Sequence, residues 1–133
     1  MNSIEKEFAP YQEALELKEL GFNELCFKEF HYEKMIGNST DSEITNSEMA
    51  ELYSNNAAIT APTFSQAFRW FRLNHNLHAA IYPIKQHWEC DIRYTNKNVN
   101  NSIFTWNDEF TYEEAEIACL RKLIELVKLP KPF

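Results

Sequence analysis

The sequence predicts an α+β fold: one small, mainly antiparallel sheet built from two hairpin-like units, with three main helices, the second and third packed on one sheet face. Three observations predict it. A helix-entry phrase recurs as P-Y-Q-E-A at 10–14, T-F-S-Q-A at 63–67 and T-Y-E-E-A at 111–115. Behind these phrases apolar residues repeat at helical spacing. Between the second and third phrases the period falls to two, with Trp88, Cys90, Ile92 and Tyr94 alternating with His87, Glu89, Asp91 and Arg93, the pattern of a strand with one buried face.

The first helix is predicted over 10–20. Pro10 suits the first helical position, which needs no amide proton, and Gly21 suits the left-handed residue that ends many helices. The segment 24–35, ELCFKEFHYEKM, reads as a weaker strand pair. A polar excursion rich in Ser, Thr and Asn follows over 37–56, with a short helix at 47–53.

The second helix is predicted over 64–73. Thr63 and Gln66 fit a capping box, and Phe64, Ala67, Phe68 and Phe71 fall within an arc of about 100° that should face the core. LHAAIYPI at 77–84 and the alternating strand after it form a hairpin turned by Lys85 and Gln86, with Pro83 placing the first strand at a sheet edge. NKNVNN at 96–101 is a polar turn and SIFTW at 102–106 a short strand. The third helix is predicted over 112–128, capped by Thr111 and Glu114, with Ala115, Cys119, Leu123 and Leu126 on one side and Leu120, Ile124 and Val127 widening it; Pro130 and Pro132 end it. Its stripe and that of the second helix should meet the face carrying Trp88, Cys90 and Ile92. The shared phrase also hints at a duplication of two halves.

At 133 residues, 44% hydrophobic and 14% aromatic, the chain is expected to fold as a single domain over 1–133 with no disulfide or metal required. Thirteen basic against twenty acidic residues give a net charge of -7, which repels a phosphate backbone at long range and lacks the basic footprint of general nucleic-acid binders, so the expectation is against general nucleic-acid binding unless a local basic patch supplies it. No apolar run approaches the roughly 18–20 residues of a membrane span, and no basic-then-apolar leader follows Met1. The expected location is cytoplasmic. Cys26, Cys90 and Cys119 lie inside apolar patterns and read as reduced, buried thiols. An acidic chain with this many aromatics can also bury some of them in a homodimer.

One stretch, HNLHAAIYPIKQHWEC at 75–90, holds His75, His78, His87 and Cys90, the right number of ligands for a zinc site. Residues three apart on a strand point to opposite faces, however, so His87 and Cys90 cannot share an ion without a bulge. The expectation is a hairpin, with no metal, cofactor or catalytic residue. With only two glycines there is no Gly-rich phosphate loop, and Glu113, Glu114 and Glu116 suit the dipole of a helix's first turn. The FRWFR segment supplies the candidate binding surface. Arg69 and Arg72 lie three apart on a face the Phe stripe leaves free, and Trp70 sits at its margin. They have two readings: core and salt-bridge roles, or a surface that binds an anion or anchors a partner.

The blocks EKEFAPYQEALELKELGFNELC, ITAPTFSQAFRWFRLNHNLHAAI and FTYEEAEIACLRKLIELVK together cover about half the chain and resemble a family of small bacteriophage and prophage proteins of gut Bacteroidota. The resemblance implies an accessory protein of a phage or mobile element acting in the bacterial host cell; it implies no activity, cofactor or catalytic residue. The leading expectation is a non-enzymatic binding protein that contacts a host or phage protein. The alternative is a protein that binds an anionic nucleotide signal through Arg69, Arg72 and Trp70. An enzyme or metal protein using the histidines and Cys90 is the third reading.

Overall fold

In the computed structural model, which describes residues 5–37, 43–53, 57–96 and 103–129, the chain divides after Thr63 into two units, each built on its own three-stranded antiparallel sheet. The α+β class stands as read from the sequence, but the strands form two sheets rather than one, and there are four α-helices among the described residues. The difference comes from a strand at Ala58–Ala61 that gives the early strand pair a third partner. AITA has four residues and no alternation, so it carries no periodic signal of its own.

The first unit runs α1 (Tyr11–Glu19), β1 (Lys28–His31), β2 (Lys34–Gly37), α2 (Asn46–Leu52) and β3 (Ala58–Ala61), with sheet order β2-β1-β3. Pro10 is the residue before α1 rather than its first, and its carbonyl accepts from the Ala14 amide at 2.8 Å. The helix ends as its glycine predicts. Gly21 has φ of 102°, its amide reaches the Lys18 carbonyl at 3.0 Å and the Phe22 amide reaches Leu17 at 2.9 Å. This is a Schellman closure, and Leu17 and Phe22, the apolar pair such ends bring together, are both buried.

One face of the sheet buries Phe30, Ile59 and Ala61 with Ala14 of α1, and Tyr11 lies edge-on to Phe30 at 5.4 Å. The helix α2 has a capping box that the sequence reading passes over: Thr45 Oγ1 accepts from the Glu48 amide at 3.2 Å while Glu48 Oε1 accepts from the Thr45 amide at 3.1 Å. At its first position Asn46 is buried. Its Nδ2 donates to the Phe22 carbonyl and its Oδ1 accepts from the Thr60 amide, each at 2.9 Å. Thr60 pairs with Glu29 across β1 and β3, and its amide turns outward, so Asn46 closes an edge that would otherwise be bare.

The second unit runs α3 (Phe64–His75), β4 (Leu77–Ile84), β5 (His87–Tyr94), β6 (Phe104–Phe110) and α4 (Tyr112–Lys128), with sheet order β4-β5-β6. The helix α4 keeps its predicted limits and its capping box, Thr111 Oγ1 accepting from the Glu114 amide at 3.2 Å. The hairpin turns at Lys85 and Gln86, with Lys85 at a φ of 54°, and Ile84 pairs with His87. Pro83 lies in edge strand β4, where a missing amide breaks no ladder. Strand β6 is longer than SIFTW suggests. Its register with β5 shifts between Trp88 and Cys90, where Asn107, Asp108 and Glu109 span the interval that Glu89 alone fills on β5. Both α3 and α4 pack on this sheet, and Leu77, Cys90 and Ile92 join Ala115, Cys119, Leu120, Leu123 and Ile124 in the buried set.

The stripe of α3 is rotated from the predicted one: Phe64, Ala67, Trp70 and Phe71 are buried, and Phe68 is half-buried. The prolines at 130 and 132 and most of the 96–101 turn lie outside the described residues, as do 38–42 and 54–56 of the polar excursion.

Candidate functional site

The histidines and cysteine of 75–90 do not converge. Antiparallel pairing sets His78 opposite Arg93, Ile81 opposite Cys90 and Ile84 opposite His87. Cys90 is fully buried, whereas His78 is exposed. His75 packs against the Trp70 ring at 4.9 Å, and His87 Nε2 stands 3.8 Å from Glu89 Oε1. Among the described residues no group of three or more His, Cys, Asp or Glu side chains is placed to hold a metal ion.

The FRWFR trio is divided by depth. Arg69 and Arg72 are exposed on α3, while Trp70 is only 6% exposed and lies edge-on to Phe71 at 5.1 Å. The indole is part of the packed layer and is not presented beside the guanidinium groups. This placement follows from the rotated stripe, because filling the helix–sheet layer with the largest aromatic outweighs the position of Phe68.

The outward face of the second sheet carries polar groups at unusual depth. Asp91 is buried; its Oδ2 accepts from Arg93 Nε at 2.8 Å and its Oδ1 from Thr105 Oγ1 at 2.9 Å. Beside it Tyr82 hydrogen-bonds Glu89, its partner across β4 and β5. Partial burial, and then that hydrogen bond, raise the phenol above its ordinary range. Both Asp91 oxygens are occupied within the protein, so this set serves as a polar clasp across the strands. The alternation that predicted the strand assigned Asp91 to solvent; its burial depends on Thr105, a partner too far along the chain for any local pattern.

The first unit differs in character. Phe27 is 62% exposed, Tyr32 81% and Leu52 70%, and Leu25, Ile36 and Tyr53 are exposed as well. Among the described residues of the second unit, the exposed large apolar side chains are scattered: Leu73 on α3, Tyr94 on β5, and Tyr112 and Leu129 at opposite ends of α4. In the first unit two of them share one sheet face. Ile36 pairs with Glu29 on the face that also carries His31, and Tyr53 meets the His31 ring edge-on at 5.0 Å. His31 Nε2 is 2.8 Å from Glu29 Oε1.

Charge divides in the same way. Residues 1–63 hold twelve acidic side chains against four lysines and no arginine, a formal charge of -8, whereas 64–133 hold eight acidic against nine basic, a formal +1. The total of -7 averages over this contrast, which was countable in the sequence once the boundary was known. Comparison with protein families, with curated proteins and with solved structures finds no match for this chain.

Proposed function

We propose that the protein is a non-enzymatic binding protein, acting for a phage or mobile element as the family resemblance implies, and that its first unit contacts a host or phage protein. The observation that carries this reading is the concentration of exposed Leu25, Phe27, Tyr32, Ile36, Leu52 and Tyr53 in a unit of charge -8. Exposed aromatic and aliphatic side chains supply the buried centre of an interface, and the surrounding carboxylates select the partner. The complementary partner is a protein segment with apolar side chains flanked by Lys or Arg. Its binding weakens as salt screens the attraction over roughly 8–10 Å.

The nucleotide reading draws less support, because Trp70 offers no surface ring for a base to stack on. The test is affinity capture with the full chain, identification of the retained protein, and titration of that protein against variants. A Phe27→Ser and Leu52→Ser double variant, folded by circular dichroism, should lose about tenfold or more in affinity, roughly 1.4 kcal/mol. Arg69→Ala with Arg72→Ala should bind as the parent does. The opposite pattern would transfer the site to α3.

A further inference from the structure

Two of the three cysteines meet. Cys90 stands on β5, the central strand of the second sheet, and Cys119 in the middle of α4; both are fully buried in the layer between helix and sheet, and their side chains hydrogen-bond to one another. Cys26 belongs to the first unit and its thiol donates to the Glu24 carbonyl at 3.6 Å. None of the three is in a disulfide.

We propose that Cys90 and Cys119 are a latent dithiol, which a low-molecular-weight disulfide such as glutathione disulfide converts to an intramolecular disulfide joining α4 to β5. The two residues lie far apart in sequence and on different elements, so the bond would close a long loop and pin the terminal helix to the strand it covers. One thiol, as its thiolate, attacks glutathione disulfide, expelling one glutathione thiolate and leaving a mixed disulfide. The second thiolate attacks that mixed disulfide and expels the other glutathione. One sulfur–sulfur bond forms in the protein and one breaks in the oxidant; the protein loses two electrons and two protons, and two reduced glutathione molecules result.

The closed structure holds this chemistry back. The Cys119 thiol donates its hydrogen bond to Cys90, and that bond and burial both keep its proton in place far above the ordinary thiol range. Reaction therefore proceeds through local opening of α4, and the bridging geometry, Cα atoms roughly 4.4–6.8 Å apart, is reached as the helix settles again. The pair is silent to brief exposure and responds to sustained oxidation.

The experiment incubates the full chain with glutathione disulfide under native conditions and in mild urea, followed by intact mass and peptide mapping without reduction. The expected product has lost two hydrogens, carries no glutathione, and links the Cys90 and Cys119 peptides with Cys26 still free; mild urea speeds its formation. Cys119→Ser should abolish the mass loss, and Cys26→Ser should leave it intact. Stable glutathione adducts on Cys90 or Cys119, a link that includes Cys26, or two unmodified thiols under both conditions would each overturn the proposal.

Discussion

Replacing Asn46 with alanine tests how the first sheet is closed. The side chain bridges two backbone groups, donating to the Phe22 carbonyl and accepting from the Thr60 amide, and Asn46 itself is buried. Asn46→Ala leaves a buried donor and a buried acceptor without partners, at about 1–3 kcal/mol each. The expected loss from the two groups together is therefore about 2–6 kcal/mol. The seven residues of α2 cannot hold a helix by themselves, so its docking should loosen too.

An exposed neighbour gives the control. Asn23 Oδ1 accepts from the Ser47 amide at 2.8 Å at the same helix start, and Asn23→Ala should cost about 0.5–1 kcal/mol. The assay is urea unfolding by circular dichroism with hydrogen exchange at the Thr60 amide. All three tryptophans, Trp70, Trp88 and Trp106, belong to the second unit, so indole fluorescence follows that unit separately. If Asn46→Ala left both the urea midpoint and Thr60 protection at parental values, the edge-closing role would be wrong.

Three other outcomes follow from the structure. The turn between β1 and β2 holds Tyr32 at φ 50° and Glu33 at φ 72°, a shape suited to Asn-Gly; Tyr32→Asn with Glu33→Gly should raise stability by about 1–2 kcal/mol in urea. Phe71→Ala should cost about 3–5 kcal/mol and Phe68→Ala clearly less, since only Phe71 is fully buried; equal losses would restore the unrotated stripe. The folded-state pKa of Tyr82 is raised above 10.0, so its contribution to stability is complete below pH 10 and disappears as pH climbs through the raised value. Melting temperatures taken from pH ~9 to ~12 should fall less steeply for Tyr82→Phe than for the parent.

What was legible in the sequence was local. Thr111 and Glu114 fixed the start of α4, and strict alternation over 87–94 fixed β5. The rest was not legible, for four different physical reasons. AITA is too short and uniform to show a period, so β3 and the separate first sheet that it completes were missed. Thr45 and Glu48 have the same spacing as the other caps, but no long apolar stripe follows to draw attention to them. Phe68 and Trp70 both border the apolar arc of α3, and only packing decides between them. The Asn46 bridge, the Asp91 clasp and the Cys90–Cys119 contact join residues distant along the chain. The candidate surface suffered most from this limit, since Arg69, Trp70 and Arg72 are adjacent in sequence but lie at different depths.

The proposal that an acidic, apolar first unit binds another protein is tested most directly by native mass spectrometry of the untagged full chain purified without chelator. The predicted spectrum shows the chain with a polypeptide-sized addition that salt weakens and that Phe27→Ser with Leu52→Ser removes, and with no metal-sized or nucleotide-sized increment. A small-molecule increment lost in Arg69→Ala, or a zinc-sized one lost in Cys90→Ser, would contradict it.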